Sequence, residues 1–179
     1  MRYLRRTVWY IAKRLLVFAL IFSLGIVTFY YAMNLANIQI ILKDGMAARA
    51  EVVIMGEDDE RLSKYFQSSF LQNDAVIQTV SNGTSPYQDY KVTGIDHRIN
   101  MSFAWLWPWD EKVRVEITES VPHIDGRVKS NRAEALIAEK GSSAVYPPAW
   151  QSARYRVSLI KDNGQWLIAS VNWLADVEE

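Results

Sequence analysis

The first place in this 179-residue chain where proton transfer could be organised is the pair Asp96-His97. Histidine titrates near neutrality and suits a general base. Its surroundings read as a period-two strand, in which neighbouring side chains point to opposite faces, so Asp96 and His97 do not serve one site together. His97 alone on an inward face leaves two readings, a lone base or a histidine held by a core partner. His123 and Asp125, in Val-Pro-His-Ile-Asp-Gly, are placed in a loop and together offer fewer donors than the three or four of a zinc site. The acidic run from Glu57 to Glu60 lacks the alternating oxygen ligands and glycine of a calcium loop, and it reads as a capped helix start. Cysteine is absent, which removes thiol catalysis, disulfides and thiolate metal sites. A phosphate-binding glycine loop, a Gly-x-Ser-x-Gly elbow and a His-Glu-x-x-His helix are absent as well. The chain therefore reads as a non-enzyme with no catalytic, metal or cofactor-binding set.

The most unusual local feature is aromatic. Trp105, Trp107 and Trp109 recur at period two around Pro108, so all three lean to one side near a strand end. Exposed, they mark a partner surface or a membrane contact; buried, they close the mouth of a sheet. Arg154 and Arg156 fall on the outward face of a later strand, as partner contacts or as part of a solvated face.

These residues need elements to position them, and the first is a membrane anchor. Residues 15–42 carry no charged side chain, and about 20 apolar residues already span ~30 Å of hydrocarbon. The expected span is residues 15–36, with Trp9 and Tyr10 at one interface and Phe29, Tyr30 and Tyr31 at the other. The run exceeds a signal-peptide core and lacks a clean small-x-small cleavage site, which favours a retained anchor. Lys+Arg and Asp+Glu are both 20, yet Arg2, Arg5, Arg6, Lys13 and Arg14 all precede the span. The positive-inside bias then keeps residues 1–14 cytoplasmic and exports residues 43–179. The remainder is net acidic, which gives no electrostatic basis for nucleic-acid binding.

The expected organisation is a basic tail (1–14), a transmembrane helix (15–36), a juxtamembrane connection (37–43) and one extracytoplasmic α+β domain (44–179). Met46, Ala50, Val53 and Ile54 share a helical face, and after Gly56 a second helix begins at Asp58 or Asp59. Its buried stripe is Leu62, Tyr65, Phe66, Ser69 and Phe70, and Asn73-Asp74 ends it. After a polar loop, alternation predicts a strand over 90–105 with an irregularity at Gly94. In it His97, Ile99, Met101, Phe103 and Trp105 share a face. A return strand follows over 112–121, which Pro122 either stops or turns into an edge. A short helix over 130–140 precedes the last hairpin, 150–161 with 166–174, turned at Asn163-Gly164. Asn82 and Asn100 head Asn-x-Ser/Thr sequons, meaningful only in a glycosylating host.

Two helices before long antiparallel strands, ending in YRVSLIKDNGQWLIASVNWL, resemble the nuclear-transport-factor-2-like superfamily over residues 44–174. The resemblance implies helices packed into the concave face of a strongly bent, cone-like antiparallel sheet. On a single-pass anchor, this plan resembles assembly components of type IV secretion and Gram-positive conjugation machines. It is similar too to sporulation membrane proteins that build a channel between two cells. The Asn-Pro-x-Gly motif of the secretion component has no match here. The implied function is an envelope scaffold acting by protein–protein interaction, with other envelope proteins or a second copy as partners and the bilayer held through 15–36. The competing implication is a small-molecule or lipid-binding module, or an enzyme, using the helix–sheet cavity.

Overall fold

A computed structural model describes residues 2–177, apart from the side chains of Arg2, Leu4 and Arg5. Of the flanking cations, Arg2 and Arg5 thus lie outside the described side chains, and the C-terminal domain is followed to 177.

The chain is α+β, and one helix dominates it. Helix α1 (Arg2–Met55) runs for 54 residues without a break, about 80 Å at the usual rise. Among the described residues it is the one helix long and apolar enough to cross a membrane, which makes it compatible with an anchor. Between residues 6 and 30 every side chain is exposed except the half-covered Val27. From Tyr31 onward the same helix is taken into the folded body. Asn34, Ile38, Leu42, Met46, Arg49 and Val53 are buried at spacings of three and four, a single stripe facing the sheet. Where a connection over 37–43 was expected, the helix simply continues. Ile38 and Leu42 are core residues, so the apolar run serves both as bare helix and as domain core. Gly56 ends α1 with a φ of 70°, the left-handed conformation that glycine reaches without Cβ strain.

The expected second helix is broken into pieces. A 3-10 turn (Glu60–Lys64), helix α2 (Ser68–Asn73) and helix α3 (Ala75–Ser81) replace it. The interruption at Tyr65–Gln67 has a clear cause. The Gln67 N–H donates to the Ile168 carbonyl at 2.9 Å, and the Ile168 N–H donates to the Tyr65 carbonyl at 2.7 Å. This short extended piece closes part of an otherwise open sheet edge, and it seats Phe66 in the core. Asp74 does end α2, but it also starts α3, its carboxylate accepting from the Val76 and Ile77 amides.

Strands β1 (Tyr90–Met101), β2 (Lys112–Val128), β3 (Ala153–Asp162) and β4 (Gln165–Asp176) form one antiparallel meander in chain order. Helix α4 (Ala133–Lys140) lies between β2 and β3. The irregularity expected at Gly94 is present between Val92 and Gly94, and a second one lies between Asp96 and Arg98. Asn163 and Gly164, both at positive φ, make the β3–β4 turn as the sequence predicts.

Of the two alternatives for Pro122, the edge holds and the stop does not: β2 continues to Val128. Pro122 sits opposite the second irregularity, and β3 pairs with β2 only over Lys112–Glu119, so no ladder hydrogen bond requires its missing N–H. His123 and Asp125 consequently lie on a strand instead of in a loop.

The inner sheet face packs on α1. Val113, Val115, Ile117, Val157, Leu159, Trp166 and Ile168 meet Ile38, Leu42 and Met46 in the main core. A smaller core joins Ala50, Val53 and Ile54 to Tyr87 and Val121. Gly45 is the point of closest approach, where an added Cβ would lie 2.9 Å from Tyr65 Cβ and 3.1 Å from Ile168 Cδ1.

Candidate functional site

Residues 102–107 leave β1 and pass over α1 without regular structure, and a turn at Pro108 and Trp109, closed by the Asp110 N–H on the Trp107 carbonyl, leads into β2. Ala104 and Leu106 point inward and are buried, so the alternating residues Phe103, Trp105, Trp107 and Trp109 face outward, 43–78% exposed. The three tryptophans share one side as predicted. Phe103 and Trp105 do not share the face of Met101, however. Regular pairing ends at Met101, and both Ser102 and Phe103 are exposed before alternation resumes. The rings do not close the sheet mouth; they form an outer ladder. Trp105 and Trp107 meet edge to face at 5.3 Å, and Trp107 and Trp109 stack at 5.2 Å with planes 8° apart.

This ladder is fixed to α1 at the point where the helix enters the body. Tyr31 packs on Trp105 at 5.7 Å, and its hydroxyl donates to the Ala104 carbonyl at 3.4 Å. One turn further along, the Asn34 side-chain amide donates to the Pro108 carbonyl and its oxygen accepts from Trp166 Nε1, each at 3.5 Å. Tyr31 and Asn34 read in the sequence as anchor residues. Their double role had one visible signal, a polar Asn on the buried stripe of an uncharged run.

Arg154 and Arg156 lie on the outer sheet face, both exposed. Arg156 stands opposite Glu116 in the ladder and bonds it at 2.8 Å, and Arg154 stands opposite Thr118. Lys112 and Arg114 continue the same face, which is polar and predominantly cationic. Such exposed pairs contribute only about 0–1 kcal/mol, so this face is available for contacts at little cost to folding.

The titratable residues separate into enclosed and open sets. His97 points inward and donates from Nε2 to Glu119 Oε1 at 2.9 Å, while Glu119 is fully buried and its Oε2 has no hydrogen-bond partner. Asp96 turns the other way and pairs with Arg98, whose hydrogen bond holds its carboxyl below the usual range. Beside Glu119, Arg49 is paired with Asp74. Burial opposes the Arg49 charge, and the adjacent carboxylate more than compensates, so its pKa is raised. His123 and Asp125 bond each other at 2.9 Å on the exposed end of β2. They line an open cleft of ≈ 640 Å³ with Lys91, Arg127 and Tyr146. Among the described residues no group of three His, Asp or Glu side chains converges to hold a metal ion.

No protein-family model matches this sequence, and no curated protein or solved structure is significantly similar to it.

Proposed function

We propose that this chain is a single-pass membrane protein whose body, outside the cytoplasm, acts as a non-catalytic scaffold for an envelope complex of the conjugation, secretion or sporulation-channel type. One observation carries the reading: α1 is bare and apolar from Leu15 to Tyr30, then becomes the core of the α+β body without a joint. Such a construction holds a folded surface at a fixed height and orientation, which is what an assembly component needs. The enclosure of His97, Glu119, Arg49 and Asp74 agrees with a structural role for these groups. The outer face around Arg154 and Arg156 offers a charged docking area for other envelope proteins or a second copy. Helix packing against an antiparallel sheet that ends in an Asn-Gly hairpin supports the nuclear-transport-factor-2-like reading of the fold.

The test exploits the cysteine-free sequence. Single cysteines replacing Asn82 and Gln151 should react with an impermeant maleimide in intact cells, and reaction only after lysis would refute the orientation. A photo-crosslinker at position 154 or 156 should capture neighbours or homo-oligomers in native membranes. A chain that never crosslinks would remove the scaffold reading.

A second reading, a cavity-bearing binding module or enzyme of the same fold, has one observation in its favour. Glu119 is a buried carboxylate with an unmatched oxygen, set beside His97. A ligand that raises the melting temperature of the native chain but not of Glu119→Gln would establish it.

A further inference from the structure

The aromatic ladder lies at the level of the body where a membrane would meet it, given the reading that α1 spans the bilayer. We propose that Trp105, Trp107 and Trp109, with Phe103, form a foot that rests in the headgroup region on the domain side, with the lipid interface as occupant. Ala104 and Pro108 touch α1 at Tyr31 and Asn34, positions one helical turn apart, so both ends of the segment stay within ~5 Å of one level along the helix axis. The segment therefore runs across the helix and not along it, and its outward rings share a common depth.

That level is where the bilayer ends. From Trp9 to Tyr31 the helix rises ~33 Å, close to the thickness of the hydrocarbon core; Lys13 and Arg14, just inside Trp9, turn their cations back over the Trp9 and Tyr10 rings toward that interface, and the domain begins at Tyr31. Phe29 and Tyr30 are exposed on the same turns, which makes the ladder a lateral extension of the helix's own aromatic belt. Lipid covers the ladder and the bare helix at once.

Several backbone groups of the foot are satisfied within the protein. The Trp107 N–H donates to the Asp110 carboxylate at 2.7 Å, the Asp110 N–H donates to the Trp107 carbonyl at 3.0 Å, and Pro108 has no N–H to leave unpaired. The Ala104 and Pro108 carbonyls are taken by Tyr31 and Asn34. The outward aromatic side chains offer ring surface and indole N–H, the combination that partitions to headgroups. Asp110, Glu111 and Lys112 come directly after and return the chain to water.

The experiment is spin-label depth measurement on the full chain reconstituted in phosphatidylcholine–phosphatidylglycerol vesicles. Single-cysteine variants Trp105→Cys, Trp109→Cys, Leu20→Cys and Arg156→Cys carry the label, and circular dichroism confirms that each is folded. At positions 105 and 109, collisions with oxygen are expected to gain on those with a water-soluble nickel complex, giving a depth between Leu20 and Arg156. If 105 and 109 match Arg156 while Leu20 reads as hydrocarbon, the foot is wrong and the anchor stands. Low accessibility to both reagents at 105 and 109 would mean that protein covers the ladder, which also overturns the foot. If Leu20 itself reads as aqueous, the membrane-spanning premise fails, and the foot with it.

Discussion

Arg49 of α1 and Asp74 at the start of α3 grip each other through two hydrogen bonds, Nε to Oδ2 at 2.8 Å and Nη2 to Oδ1 at 3.2 Å, with both side chains about 5% exposed. The same Asp74 oxygen that receives Nη2 also accepts the Val76 and Ile77 amides, so one carboxylate ties the long helix to the short one. Asp74→Ala strands a buried guanidinium and uncaps α3, with an expected loss of about 3–5 kcal/mol. Asp74→Asn keeps an acceptor for the cap but not the charge, and falls between. Chemical denaturation of the full chain in detergent micelles measures both, and a loss below about 1 kcal/mol for Asp74→Ala would mean that water reaches the pair.

Two glycines of α1 should respond oppositely to alanine. Gly25 has open space around it, and Gly25→Ala gains helix propensity of up to about 1 kcal/mol. At Gly45 the new methyl would collide with Tyr65 Cβ, which cannot swing away, so overpacking costs roughly 1–3 kcal/mol and overrides propensity. Melting temperatures of the two variants, compared side by side, decide the matter.

Reversing Arg154 and Arg156 to Glu should cost no more than about 2 kcal/mol, nearly all of it from Glu at 156 meeting Glu116 across the ladder, since both positions lie on the exposed face. Crosslinked neighbours recovered at this face should nevertheless be lost. Retention of every neighbour would place the docking area elsewhere.

The Tyr87 phenol is buried, and burial pushes its pKa up to about 12. An unfolded tyrosine ionises near 10, so between pH 10 and 12 the unfolded chain releases a proton that the folded chain keeps. Stability thus falls as pH rises through this window and is unaffected by this group below it. Tyr87→Phe should flatten the fall, read from melts at pH 9 and pH 11. An identical slope would assign alkaline sensitivity to other groups, such as Tyr155, whose pKa is also raised by burial.

Local chemistry made much of this architecture legible. Asn163-Gly164 announced its turn, Gly94 its irregularity, and the Arg154–Leu159 alternation its two faces, because each depends on nearest neighbours alone. Where the outcome depended on distant partners, the sequence was silent or misleading. The helix expected after Gly56 broke because Tyr65–Gln67 found a better use on the edge of β4, about a hundred residues away. Pro122 passed through β2 because β3 had already ended beside it. The inward turn of Leu106, and so the outward display of the tryptophans, followed from a change of phase at Ser102 that no period in the residues revealed. Tyr31 and Asn34 read as lipid-facing because apolar composition is common to membrane and core.

The unbroken course of α1 links rotation at its two ends. Each residue advances the helix by roughly 100° and ~1.5 Å. Adding or removing one residue between Arg14 and Tyr31 would therefore swing the cations Lys13 and Arg14 by more than a quarter circle relative to the sheet, with almost no change in reach. With no hinge along the rod, the azimuth of its charged end reports how the body above is turned.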